Sequence, residues 1–190
     1  MSSSAGAADG RELDLPAIFE TLIRDVPDFP APGIVFKDIT PLLSDHTAFT
    51  AVSEALAACG RDSRGEPVVD KVVGIEARGF ILAAPVALAL GVGFVPVRKQ
   101  GKLPSATFEV SYALEYGEAT LAVHQDAFDH GDRVLIVDDV LATGGTVAAT
   151  AELIGRASAS VVRVAVLMEL GFLRGRTALG DLDVTALLEV

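Results

Sequence analysis

A chain of 190 residues is long enough to bury a sizeable core, and 51% hydrophobic against 22% charged residues place it among folded globular proteins. Fifteen Lys and Arg against twenty-six Asp and Glu leave a net charge of −11, which repels a nucleic-acid backbone and argues against DNA or RNA as a partner. No apolar run reaches the roughly 18–20 residues of a membrane span; Gly79 to Phe94 comes nearest and is interrupted by Pro85. In chain order, Met1 to Gly10 is small and polar, without the basic and apolar regions of a signal peptide, so residues 1–12 are predicted to be a disordered leader. Leu13 to Val26 has apolar residues at helical spacing and stops at Pro27. Pro27 to Gly33 holds three prolines and reads as a stiff loop, followed by the short apolar run Ile34-Val35-Phe36. Thr47 to Cys59 is predicted helical, then Lys71 to Ile75 a strand, Gly79 to Leu90 a helix and Gly93 to Val97 a strand. Beyond a polar stretch, Thr120 to Val123 and Arg133 to Val137 read as strands, Gly144 to Ile154 as a helix and Val161 to Leu167 as a strand.

Strands that are apolar on both faces and separated by helices argue for an α/β fold: a single domain, residues 13–190, with a mostly parallel, doubly wound sheet covered by helices on both sides. Ligands of such sheets bind beyond the carboxyl ends of the strands. Cys59, the one cysteine, cannot form an intramolecular disulfide and reads as a small buried hydrophobe of a reducing compartment, the cytoplasm. His46, His124 and His130 are scattered and offer no zinc-ligand spacing.

One motif is specific. The hydrophobic run Val134 to Val137 leads into Asp138-Asp139, and Val140-Leu141-Ala142-Thr143-Gly144-Gly145-Thr146 opens the next helix. Small residues from Ala142 to Thr146 let backbone N–H groups approach an anion closely, Thr143 and Thr146 add hydroxyl donors, and the helix start supports negative charge. The resulting cradle suits one phosphate. Two adjacent carboxylates repel phosphate but suit a sugar diol, or a metal that grips sugar and pyrophosphate oxygens. Together they point to a phosphorylated ribose.

The run Arg133 to Thr146 resembles the phosphoribosyl pyrophosphate (PRPP) signature of the type I phosphoribosyltransferases. Four further segments resemble the adenine-specific branch of that family: Phe29 to Leu43, Gly74 to Phe80, Val97 to Pro104 and Tyr112 to Gly117. The resemblance implies transfer of a phosphoribosyl group from PRPP to adenine, giving AMP and pyrophosphate, in a homodimer and with Mg²⁺ held mainly through substrate and water near Asp138 and Asp139. Asp138, Asp139, Ala142, Thr143, Gly144, Gly145 and Thr146 are then expected to bind ribose and 5′-phosphate, and Arg78, Arg98, Lys99 and Lys102 to neutralise pyrophosphate. Val35 and Lys37 are expected to read adenine through backbone atoms while Phe36 stacks on it. Glu115 is the expected catalytic residue, handling the proton of the base under a mobile hood, Lys99 to Ala106. Glu76-Ala77 stands where many members have Asp or Ser, a mild departure in a loop that often contains a non-proline cis peptide. A phosphoribosyltransferase for another base and a PRPP-sensing regulator share the PRPP run and remain the alternatives.

Overall fold

The computed structural model describes residues 14–113 and 117–190. The predicted leader (1–12) and Glu115 lie outside the described residues. Two compact units divide the chain, the first running to Ala51 and the second covering Val52–Val190.

In the first unit, α1 (Leu15–Leu22) opens with Asp14 accepting from the Ala17 amide and Pro16 in the first turn, where its missing N–H is harmless. The helix predicted to reach Val26 ends four residues earlier. Arg24–Pro27 forms β1 instead, antiparallel to β2 (Val35–Asp38), because pairing across the hairpin outweighs a weak helical period. Two cross-strand ion pairs accompany that register: Arg24 with Asp38 at 2.8 Å and Lys37 with Asp25 at 2.6 Å. The proline loop between the strands has a cis Phe29–Pro30 bond, and Asp28 accepts the Gly33 amide at 2.8 Å. A short α2 (Thr40–Ser44) follows, then α3 (His46–Ala58), along which the boundary between the units falls.

The second unit is built on a seven-stranded sheet. Its strands are β3 (Lys71–Ile75), β4 (Gly93–Lys99), β5 (Thr107–Ala113), β6 (Glu118–His124), β7 (Arg133–Leu141), β8 (Ser160–Glu169) and β9 (Val184–Glu189), in the order β5-β6-β4-β3-β7-β8-β9. From β4 to β9 neighbours are parallel; β5 and β6 are an antiparallel hairpin added to one edge. The crossovers are α4 (Arg78–Leu90), ended by left-handed Gly91, and α5 (Gly145–Arg156). The mostly parallel α/β architecture read from the sequence is thus present. In this sheet β5 and β9 were not predicted, and β4, β6, β7 and β8 run past their predicted ends, β7 by its last four residues. Central strands explain why the sheet was legible, since β7 is buried at every position but its first and at Val140. Val73, Val95, Val134, Ile136, Leu153, Ile154 and Val164 form the centre of one hydrophobic cluster. Burying a side chain of this size contributes about 1.5–3 kcal/mol each, which makes the sheet a rigid platform for its loops.

Candidate active site

Three parallel strands end side by side. Ile75 of β3 pairs with Val97 of β4, and Gly74 of β3 with Val137 of β7, so the loops that follow all reach one rim. A cavity of about 410 Å³ opens there, walled by Glu76–Arg78 on one side and by Asp138–Gly144 and Thr146 on the other. This is the carboxyl edge of the sheet, where open α/β folds bind ligands.

Asp138 and Asp139 sit on β7 itself, only 9% and 6% exposed. The Asp138 carboxylate accepts the Asp139 amide at 2.9 Å. Burial, followed by the neighbouring Asp139 charge, pushes the Asp138 carboxyl well above the ordinary carboxylate range. Asp139 is paired: its Oδ2 lies 2.5 Å from Nε of Arg78 at the start of α4. Arg78, expected against pyrophosphate, is held here on the opposite acid of the same cavity.

The segment after β7 has the form the residue types predict. Ala142, Thr143, Gly144 and Thr146 line the cavity. Gly144 adopts φ +85° as the cap of α5, and any side chain there would collide with the Gly175 carbonyl oxygen. Gly175 is equally constrained, since its Cβ would strike the Ala142 carbonyl. Gly175 begins a 3-10 helix, Gly175–Leu179, that the sequence reading did not anticipate. An ion pair to a buried carboxylate anchors it, Arg176 to Glu169 at 2.7 Å, and Arg176 also donates to the Val184 carbonyl. The segment Ala142–Gly144 therefore meets Gly175 in a backbone-to-backbone contact that only glycines at 144 and 175 permit.

Glu76 was read only as part of a backbone loop, but its side chain organises the next one. Its carboxylate accepts from Arg98 Nε at 3.3 Å and from the Lys99 amide at 3.0 Å. Arg98 in turn donates to the Lys102 carbonyl at 2.9 Å. Three of the four basic residues expected to meet pyrophosphate, Arg98, Lys99 and Lys102, are thus gathered at and just beyond the end of β4 and linked to Glu76. The Glu76–Ala77 peptide bond is cis. Val35, Phe36 and Lys37 belong to the first unit, on β2: Val35 is exposed, Phe36 meets Phe29 edge-on at 5.2 Å between ring centres, and Lys37 pairs with Asp25.

Residues 40–180 match the phosphoribosyl transferase domain family. An adenine phosphoribosyltransferase of Nocardioides sp. is 69% identical over 93% of this chain and 97% of its own length, and that of Acidothermus cellulolyticus is 60% identical over 93% and 98%. The chain belongs to the adenine phosphoribosyltransferases. Among solved structures of that family, the Thermoanaerobacter pseudethanolicus enzyme superimposes with a TM-score of 0.86 at 47% identity, covering 93% of this chain and all of that one. The Saccharomyces cerevisiae enzyme, solved with an imino-altritol bisphosphate and adenine, gives 0.87 at 38% identity, covering 92% and 98%.

The donor set also tests whether a divalent cation fits this family member. No group of three or more His, Cys, Asp or Glu side chains is arranged to hold a metal among the described residues. Yet the cavity wall carries Glu76, Asp138 and Asp139 against Arg78, a poor environment for a bare pyrophosphate. A polyanion accompanied by its own cation removes that mismatch, and Mg²⁺ characteristically keeps several waters while using one or two carboxylates and substrate phosphates. The residues fit such an ion.

Proposed function

We propose that the chain transfers the 5-phosphoribosyl group of PRPP to adenine, forming AMP and releasing pyrophosphate, as a purine-salvage enzyme of the cytoplasm. One observation carries the reading: the paired acids and the phosphate loop share a single cavity with Arg78, at the carboxyl edge of the sheet. Asp138 and Asp139 hold the ribose hydroxyls, and Ala142 to Thr146 hold the 5′-phosphate through backbone N–H groups and the two threonine hydroxyls. Arg78, Arg98, Lys99 and Lys102 neutralise the pyrophosphate; Arg78 leaves Asp139, and Arg98 leaves Glu76, as the substrate's own charges take their place. Mg²⁺, bound near Asp138 and Asp139 through substrate and water, supplies charge stabilisation to the leaving pyrophosphate. The bond between C1′ and the pyrophosphate oxygen breaks as N9 of adenine bonds to C1′, and Glu115 takes the proton that the imidazole ring of the base gives up. Positive charge at C1′ develops next to the buried acids, so positioning and electrostatics supply the catalysis without a protein nucleophile. Val35 and Lys37 read the 6-amino group and N1 through backbone atoms, and Phe36 stacks on the ring. The segment Lys99 to Ala106 closes as a hood that excludes water from the sugar cation.

A base competition tests the reading. With PRPP, Mg²⁺ and equimolar adenine, hypoxanthine, guanine and orotate, AMP is the expected dominant product, and Glu115→Gln is expected to lower kcat by roughly 100-fold, within the range for loss of a general base. IMP, GMP or OMP as the main product contradicts the roles given to Val35–Lys37. Absence of any nucleotide, with PRPP still bound, contradicts the enzymatic reading altogether.

A further inference from the structure

Tyr112 stands near the end of β5, three residues before Glu115. Alternate residues of a strand share a face, and Phe108, Val110 and Tyr112 pack into the same hydrophobic cluster as Val147 and Leu153 of α5. The Tyr112 ring reaches the start of α5 so closely that a Cβ on Gly145 would lie 3.1 Å from its Cδ2. Its hydroxyl oxygen lies 3.1 Å from Oγ1 of Thr146. Packing alone requires the ring and not the hydroxyl, because phenylalanine fills the same space.

The proton inventory assigns a direction to that hydrogen bond. A threonine hydroxyl has one proton and two lone pairs, whereas phosphate oxygens accept. If the proton of Thr146 points at phosphate, only its lone pairs remain for Tyr112, and the phenol must donate. We propose that Tyr112 is a positioning residue of the 5′-phosphate cradle, donating to Thr146 Oγ1 and thereby aiming the threonine's own proton at the bound phosphate. The inference rests on the reading of Ala142 to Thr146 as that cradle. Successive hydrogen bonds from Tyr112 to Thr146 and from Thr146 to phosphate polarise one another in the same sense. They also fix the hydroxyl rotor of Thr146 before the ligand arrives, which lowers the entropy lost on binding. No proton changes owner.

Calorimetric titration of the full chain with ribose 5-phosphate tests this, using wild type, Tyr112→Phe, Thr146→Ala and the double variant. Thr146→Ala is expected to weaken binding about tenfold and Tyr112→Phe about three- to tenfold, as for loss of a hydrogen bond to a charged system. The double variant is expected to bind no worse than Thr146→Ala, because the phenol then has nothing left to aim. In steady-state assays of Tyr112→Phe the KM for PRPP rises by the same factor while the KM for adenine and the melting temperature stay put, a split that general loosening of the hairpin does not produce. Wild-type affinity in Tyr112→Phe, or losses that multiply in the double variant, overturns the proposal and leaves the cradle intact. Wild-type affinity in Thr146→Ala removes Thr146 from the cradle, and the proposal with it.

Discussion

Asp138 carries the sharpest conflict between stability and use. Its carboxyl is almost wholly buried beside another acid, and burial raises its pKa. A group whose folded pKa lies above its unfolded value favours folding while protonated, and that advantage fades as pH rises through the folded pKa. The ligand-free protein therefore gives up stability as pH rises above about 4, the ordinary Asp value, and through the raised folded pKa. Asp138→Asn keeps the oxygen that accepts the Asp139 amide and removes the charge. At pH 7 it is expected to melt roughly 2 °C or more above wild type, with the gap closing below about pH 4, and to bind PRPP at least about tenfold more weakly. Differential scanning calorimetry across that pH range checks the first expectation, and a variant less stable than wild type at pH 7 refutes it. Arg78 and Glu76 make the complementary point about what a sequence conceals. Both stand in a recognisable segment, but their partners, Asp139 and Arg98, are 61 and 22 positions away along the chain, and only the parallel register of β3, β4 and β7 brings them together.

At the scale of elements, the central strands announce themselves and the edges do not. β3 and β7 carry nearly continuous apolar runs because both faces are covered; β5 alternates Thr107, Phe108, Glu109, Val110, Ser111 and Tyr112, a period-2 pattern that is easily passed over as a polar stretch. β7 outruns its prediction because Asp138 and Asp139 look like a turn, although burial and pairing with β8 keep them in the strand. The N-terminal helix was overextended for the opposite reason, since nothing local marks Arg24–Pro27 as the partner of Val35–Asp38. The ends of β3 and β7 remote from the cavity are clamped by Asp70, which accepts the Arg133 amide at 2.9 Å and Nε and Nη2 of its guanidinium at 3.0 and 2.9 Å. Those hydrogen bonds hold the Asp70 carboxyl down at about 2, against an ordinary 3.8. A depressed folded pKa stabilises above the unfolded value, and the gain is lost as pH falls toward 2. Because both side chains are substantially solvent-exposed, the gain is small: Asp70→Asn is expected to lower the melting temperature by roughly 1–3 °C at pH 7 and to match wild type near pH 2. Ribose 5-phosphate affinity is expected to be unchanged. A melting difference that stays constant from pH 7 to pH 2 would rule out titration of Asp70 as its source.

At the scale of the whole molecule, a net charge of −11 must coexist with a polyanionic substrate and, as the family resemblance implies, with a second copy of the same acidic chain. Screening limits the first difficulty: at physiological salt the field decays over about 8 Å, so acids on the remote surface are felt only weakly at the cavity. The second needs apolar surface to offset repulsion, and α4 offers it. One side of this helix is buried through Leu82, Ala83, Val86, Ala87 and Leu90, yet Ile81 and Leu88, two turns apart, are 43% and 83% exposed. A helix apolar on both sides is usually covered on both. Sedimentation velocity is expected to show a particle of twice the 19.7 kDa chain mass at micromolar concentration. Added salt strengthens this association by screening like charge, and Leu88→Asp weakens it by about 100-fold or more, as a charge buried without a partner does. The same variant is expected to lose activity in step with dissociation and to regain it as concentration rises. A wild-type monomer, or a Leu88→Asp dimer of undiminished strength, removes α4 from the interface and leaves Leu88 an isolated exposed side chain.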